Sequence, residues 1–270
     1  MIRLVGVHKR FFPGDNSEVY ALRGIDLQVA EGDFVTLIGT NGSGKSTLLN
    51  AIAGSFFPDR GTITVAGDDV TKRPDYWRAR YIARVFQNPF SGTAPDLTVA
   101  ENLRLAELRG KPRHPWGGLG RSSRARYGDE VKRLEMQLED RLDATIGTLS
   151  GGQRQALTLL MAVMADPKVL LLDEHTAALD PKSAAQVAKL TVAFVRERKL
   201  TAVMVTHSME QALELGNRTV MMVLGSIVED LVEQERRRLT PDDLVEKFAD
   251  LRKVERLTPE LREVLRAEYR

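Results

Sequence analysis

The sequence predicts an α/β fold with a mostly parallel sheet, an antiparallel β layer and an inserted helical subdomain. Three observations lead there. Short apolar runs of strand length alternate with stretches of helical period. A glycine-rich turn, Gly39-Thr40-Asn41-Gly42-Ser43-Gly44-Lys45-Ser46-Thr47, joins one such run to a helix. Far downstream, the continuous apolar run Val169-Leu170-Leu171-Leu172 has the character of a central parallel strand and ends in two carboxylates, Asp173 and Glu174.

Taken in order, Ile2 to Lys9 and Ala21 to Val29 alternate apolar and polar residues, the period of half-buried strands. Pro13-Gly14-Asp15-Asn16-Ser17 between them is turn chemistry. With Gly61 to Ala66 they form the antiparallel layer. Phe34 to Ile38 is a buried strand leading into the glycine-rich turn, and Ser46 to Ala53 is a helix. The turn fits G-x-x-x-x-G-K-[ST], whose backbone N–H groups cradle phosphates at a helix N-terminus. By composition the pattern arises by chance in on the order of one chain in a hundred. The core is therefore expected to be that of a P-loop NTPase.

Tyr81 to Gln87 reads as a strand ended by Asn88-Pro89, and Thr98-Val99-Ala100-Glu101 as a capping box opening a helix through about Leu108. Arg109 to Tyr127 reads as a loop. It carries Arg109, Lys111, Arg113, Arg121, Arg124 and Arg126 without a carboxylate. That composition suits contact with an acidic protein surface or lipid headgroups, and equally a solvated loop. A charged helix is expected from about Tyr127 to Leu138. A helix apolar nearly all round, and so buried, follows Gln153 and ends at Asp166-Pro167. Asp180-Pro181 caps the next helix. Ala202 to Thr206 is a strand, and Ser208 with Gln211 a second capping box. Arg218 to Leu224 and Ile227 to Leu231 form a hairpin about Gly225-Ser226. The expected units are an ATPase domain over 1–232, with a helical subdomain at about 88–165, and a helical tail over 233–270. The tail helices start at Thr240-Pro241 and Thr258-Pro259, and Arg236-Arg237-Arg238 reads as a solvated face.

The 270 residues include 39 basic and 37 acidic side chains, a net charge of +2 that argues against nucleic acid as an obligatory partner. The absence of cysteine excludes disulfides, thiolate metal sites and cysteine nucleophiles. Met1 is followed by no basic-then-apolar leader, and Ala156 to Ala165, the most apolar stretch, is too short to span a bilayer, so a soluble, cytoplasmic chain is expected.

The chemistry assembles around the phosphate loop. Lys45 reaches the β and γ phosphates and the Ser46 hydroxyl holds Mg²⁺. Asp173, at the carboxyl end of a buried strand, holds Mg²⁺ through its water shell. Glu174 orients or deprotonates the attacking water. A carboxylate pair after a strand also suits a helix cap, and His207, taken alone, also suits a strand-end histidine with a structural hydrogen bond.

Gly39 to Thr47, Gln87, Leu149-Ser150-Gly151-Gly152-Gln153, Leu170 to Glu174 and His207 occur in the order and spacing of the nucleotide-binding subunit of ABC transporters. The resemblance covers roughly residues 1–232, and the LSGGQ element separates that family from other P-loop ATPases. It implies a cofactor pair of ATP and Mg²⁺, with Gly39, Asn41, Gly42, Ser43, Gly44, Lys45, Ser46 and Thr47 around the phosphates. It also implies a head-to-tail homodimer in which Ser150, Gly151, Gly152 and Gln153 of one copy face the γ-phosphate held by the other. Gln87 becomes a metal ligand and water sensor coupled to the membrane domain, His207 a γ-phosphate contact, and Asp180 part of a loop crossing the dimer interface. Phe11 best matches the adenine-stacking position, with Phe12 and Tyr20 as rivals. Two residues depart from the family pattern. Thr40 stands where proline is common. His175 follows Glu174 where proline is usual, either titrating near the carboxylates or merely tolerated by the backbone.

The chain looks most like bacterial importer ATPases. That likeness implies a separate transmembrane permease, an extracytoplasmic substrate-binding protein and a place on the cytoplasmic face of the membrane, with amino acids or related small solutes as cargo. Exporter ATPases share every catalytic motif. A soluble ABC ATPase acting on ribosomes or DNA is the other alternative. Such proteins carry two ATPase halves or a long inserted coiled coil, whereas about a hundred residues without sustained heptads separate the two motifs here.

Overall fold

A computed structural model of the chain describes residues 1–12, 18–109 and 119–247. The chain opens with β1 (Ile2–Phe11), β2 (Val19–Val29), β3 (Phe34–Gly39) and α1 (Lys45–Ala53). Then come β4 (Arg60–Val65), β5 (Asp68–Asp69), α2 (Asp75–Arg78) and β6 (Ile82–Val85). The helices α3 (Val99–Glu107), α4 (Arg121–Lys132) and α5 (Gly151–Val163) lie between β6 and β7 (Val169–Asp173). The remainder is α6 (Pro181–Glu197), β8 (Thr201–Val205), α7 (Met209–Glu214), β9 (Arg218–Val223), β10 (Ser226–Leu231) and α8 (Glu233–Arg236).

Two sheets form. The antiparallel one runs β2-β1-β4-β5, and the larger runs β10-β9-β3-β8-β7-β6. Every pairing from β9 to β6 is parallel, and only β10 is antiparallel. The central strands explain themselves by composition: every residue of β3 and β8 is buried, as are Val169 to Leu172 of β7. One core fills the space between the sheets around α1, through Leu4, Ile25, Leu37, Leu49, Ile63 and Leu171. A second packs α3 to α6 on the other face, through Leu103, Tyr127, Leu157, Leu172 and Phe194. The large sheet thus delivers the carboxyl ends of β3, β7 and β8 to one edge, where open parallel sheets carry their sites.

Several expectations shift. The helix placed from Tyr127 to Leu138 is α4, starting six residues earlier at Arg121, so the second half of the expected basic loop is helical. Its arginines find carboxylates from other segments: Arg124 meets Asp143 at 2.7 Å and Arg126 meets Glu107 at 2.5 Å. Arg109 points inward, and its Nη2 donates to the Ala162 carbonyl. Lys111, Arg113 and the rest of 110–118 lie outside the described residues, as do 13–17 and the second tail helix at Thr258-Pro259. The first tail helix is present over 241–247.

Arg236 is not on a solvated face. It is buried, and its guanidinium donates to the carbonyls of Ala212, Leu213 and Gly216 and to the Thr219 hydroxyl. Ala212 and Leu213 lie in the last turn of α7 and Gly216 just beyond it, where a cation complements the end carbonyls and the helix dipole. Leu244 packs beside Ala212 and Ile38, so the described tail is fastened behind α7 and β3. The Ser208–Gln211 box is half formed. Ser208 accepts from the Gln211 N–H, but Gln211 Oε1 accepts from the hydroxyls of Thr176 and Thr206 instead of returning to the cap. The short β5 and α2 were not expected, because two- and four-residue elements leave no period to read.

Candidate active site

The phosphate loop is a turn that glycine alone permits at key points. Gly42 and Gly44 hold φ of 79° and 97°, in the region side chains disfavour. A Cβ on Gly44 would lie 2.4 Å from the Ala21 carbonyl oxygen, and one on Gly39 would lie 2.3 Å from that of Met222. The loop therefore packs directly against backbone. Helix α1 begins at Gly44 with no side-chain cap and no acidic residue in its first turn, which leaves its leading N–H groups for an external anion. Lys45 is buried, and its Nζ donates to the Gly39 and Thr40 carbonyls at 2.8 Å each. Burial lowers its pKa, against the raising influence of Glu174 and Asp173. Thr40 contributes through its carbonyl, which any residue would supply.

The Ser46 hydroxyl donates to Asp173 Oδ1 at 3.1 Å. This hydroxyl–carboxylate pair is the hard-oxygen donor set that Mg²⁺ takes together with phosphate oxygens and water. Among the described residues no group of three or more His, Asp or Glu could hold a metal. Uncapped amides, a buried ammonium and this oxygen pair fit a magnesium–nucleoside triphosphate.

Glu174 sits in the left-handed region at φ 47°, uncommon for a residue with a Cβ and typical of sites where function holds strain. Its N–H continues the sheet to the Val205 carbonyl at 3.1 Å, fixing the backbone while the side chain turns toward His207. Its Oε1 lies 2.6 Å from His207 Nε2, a half-exposed ring just past β8. The phosphate loop and Glu174 meet at a cleft of ≈ 430 Å³ lined by Phe11, Val19, Ala21, Asn41, Gly42, Gly44, Lys45, Ser46, Thr47 and Glu174, and Asp173 and His207 stand behind it, bonded to Ser46 and Glu174. Of the aromatic candidates, Phe11 lines the cleft. Tyr20 is engaged elsewhere, with the guanidinium groups of Arg10 and Arg23 over its ring and its hydroxyl on His8 Nδ1. Phe12 is among the most exposed apolar residues and does not line the cleft.

Not every expected residue comes to this cleft. Gln87 lies exposed beyond the end of β6, outside the lining. Ser150 to Gln153 form the start of α5, also outside it. Ser150 Oγ accepts from the Gln153 N–H at 3.2 Å, and Gln153 Oε1 accepts from the Ser150 N–H at 3.1 Å. This capping box is legible in the sequence as S-x-x-Q and went unread. Gly152 is required by packing, since a Cβ there would lie 2.4 Å from Ser183 Oγ on α6. Asp180 is exposed and caps α6 through the Ser183 N–H at 3.1 Å. His175 is buried with Nε2 2.9 Å from Thr191 Oγ1. Thr191 spends its single hydrogen on the Val187 carbonyl, so His175 carries its proton on Nε2 and is neutral. Burial lowers its pKa to about 4, so its role is structural, away from the carboxylates' proton traffic. Sequence reading also missed Arg84, whose signal was a lone guanidinium inside an apolar strand.

A family model described as ABC transporter matches residues 22–177. The chain is 42% identical over 238 residues to the tyrosine transport ATP-binding protein of Clostridioides difficile (strain R20291), covering 87% of this chain and 92% of that protein. It is 35% identical over 225 residues to the lipoprotein-releasing system ATP-binding protein LolD 1 of Caulobacter vibrioides (strain ATCC 19089), covering 82% and 92%. An ATP-binding cassette solved as a dimer in a post-hydrolysis state with ADP and phosphate matches the fold at a TM-score of 0.75 and 29% identity, over 86% of this chain and 99% of that one. The chain belongs to the ABC transporter family and is one of its ATPases.

Proposed function

We propose that the chain powers an ABC importer for amino acids or related small solutes. It works as a homodimer on the cytoplasmic face of the membrane, beneath a separate permease that receives cargo from an extracytoplasmic substrate-binding protein. The observation that carries the dimer is the division of the motifs. The phosphate loop and Glu174 line one cleft, with Asp173 bonded to Ser46 and His207 to Glu174, while Ser150 to Gln153 present a helix N-terminus outside that lining. The likeness to a cassette solved as a dimer supports completion of each cleft by the partner's α5. The likeness to a tyrosine transport protein supports the cargo class. Residues 1–232 serve as the ATPase domain with the subdomain at about 88–165, and 233–270 as a tail.

Bound ATP and Mg²⁺ supply the phosphoryl group and the charge that offsets its oxygens. The chain does the rest by position and electrostatics. Lys45 holds the β and γ phosphates against the α1 amides. Ser46 and Asp173 hold the cation. Glu174 orients water and takes its proton, with His207 steadying the carboxylate and contacting the γ-phosphate. Gln87 senses the metal and water from the rim of the helical subdomain, and Phe11 stacks on adenine.

Affinity purification of the tagged chain from detergent-solubilised membranes tests the transport reading. A co-purifying permease, with ATPase activity stimulated by an amino-acid-loaded binding protein, is the expected result. Ribosomes or DNA in place of a permease would contradict it. A permease whose activity ignores any binding protein would favour the exporter reading that the 35% likeness to the lipoprotein-releasing protein supports.

A further inference from the structure

Arg84 stands on β6 between the buried Ala83 and Val85, at the edge of the large sheet. Its Nη2 donates to Asp173 Oδ2 at 2.9 Å, and its Nη1 donates to Asn50 Oδ1 on α1 at 2.5 Å. The guanidinium carbon lies 4.5 Å from the centroid of the Phe86 ring. Both ends of the ion pair are largely shielded, with side-chain exposures of 16% for Arg84 and 14% for Asp173.

The two oxygens of Asp173 are thereby divided. Oδ1 accepts from Ser46, on the side of the phosphate loop, and Oδ2 accepts from Arg84. A carboxylate turns easily about its last torsion, whose profile is broad. Holding one oxygen therefore aims the other. Arg84 suits that task because its planar fork is itself fixed at three points: Asp173, Asn50 and the face of Phe86. Asn50 and Ser46 share α1, so the same contact ties the carboxylate to the helix that carries the phosphate loop.

We propose that Arg84 is a positioning residue for the metal. It holds Asp173 so that Oδ1 faces Ser46, the place where the nucleotide's Mg²⁺ is shared. The inference rests on the reading of Ser46 and Asp173 as the metal pair. A rival role for Arg84 is a cation that competes with the metal for the carboxylate. The geometry disfavours it, because Arg84 occupies the oxygen that points away from Ser46. A second rival is a plain strut joining β6 to α1 and β7, which would change stability and leave the metal response alone. Partners that orient a metal ligand typically contribute about 10- to 100-fold in metal affinity.

The test uses the full chain with Mn²⁺ and ATP, read by electron paramagnetic resonance, which separates protein-bound Mn²⁺ from the nucleotide complex in solution. In Arg84→Gln the protein-bound Mn²⁺ signal should half-saturate at about 10- to 100-fold higher Mn²⁺ than in the parent, while ATP binding in EDTA is unchanged. Arg84→Lys, which keeps the charge and loses the fork, should fall between them, and it carries the test if the glutamine variant does not fold. An unchanged titration with a lowered melting temperature would overturn the proposal in favour of the strut. A tighter titration would overturn it in favour of competition. A parent that binds ATP without any metal-dependent signal would overturn the reading of Ser46 and Asp173 itself.

Discussion

Helices α1 and α5 both start at the motifs that define this chain, yet their N-termini are built in opposite ways. Helix α1 starts at Gly44 in a left-handed conformation, without a side-chain cap. Its leading amides have no side-chain acceptor and are open to an anion. Helix α5 starts at Ser150 inside a complete capping box, in which side chains answer the Ser150 and Gln153 N–H groups. Ser150 Oγ accepts from Gln153 and keeps its hydrogen free to donate outward. The first terminus is a receptor that is finished by its ligand. The second is shaped in advance by its cap and can meet a ligand held by another molecule. A site divided between two copies needs one of each.

Breaking the receptor side should have the largest effects. Glu174→Gln keeps the shape of the carboxylate and loses the base, so turnover should fall by about 10²- to 10⁴-fold with ATP binding retained. Steady-state phosphate release and nucleotide titration check both halves of that statement. Gly44→Ala places a Cβ where φ is 97° and 2.4 Å from the Ala21 carbonyl oxygen. A loss of at least ~3 kcal/mol of stability, with weakened ATP binding, is expected from strain and clash together. Denaturant unfolding measures the first.

The pH dependence sharpens the comparison, because α6 packs on the start of α5 and on the segment after Glu174: Ser183 meets Gly152 and Thr191 holds His175. His175 has a folded pKa lowered to about 4 from an ordinary value near 6.5. The unfolded chain therefore binds the proton more readily, and the stability present above pH 6.5 is lost as pH falls toward 4. The loss is on the order of 3 kcal/mol. His175→Gln should flatten that part of the stability profile. The smallest effect is expected far from both termini. Neutralising Arg121, Arg124 and Arg126 removes two exposed ion pairs and should change stability by less than about 1 kcal/mol with basal ATPase intact. Weakened assembly with the permease in that variant would identify the face of α4 as a partner surface.

The contrast between the two termini also shows what a sequence displays. The phosphate loop, the carboxylates at the end of β7 and the LSGGQ element were legible because each is contiguous and each sits at a strand or helix end set by hydrophobic period. The α5 capping box was equally local and needed only the spacing of Ser150 and Gln153. Arg84 and Arg236 were not legible in the same way. Arg84 meets residues 34 and 89 positions away, and Arg236 reaches carbonyls up to 24 positions back. No local pattern encodes where such a guanidinium ends, although an arginine inside an apolar strand is a warning. The α4 boundary was misplaced because Arg121 to Arg126 has almost no apolar period; its amides are helical while its charges are answered by Glu107 and Asp143. That Phe11 lines the cleft while two arginines cover Tyr20 was visible only in space.

The central claim is that one chain holds half of each site, and the self-association of Glu174→Gln tests it most directly. Analytical ultracentrifugation of that variant with Mg²⁺ and ATP should show a dimer, and without nucleotide a monomer. Adding Ser150→Arg, which removes the cap hydroxyl and places a bulky side chain at the start of α5, should return it to a monomer that still binds ATP. A Glu174→Gln chain that stays monomeric while saturated with ATP, or a double variant that dimerises as well as the single one, would contradict the account.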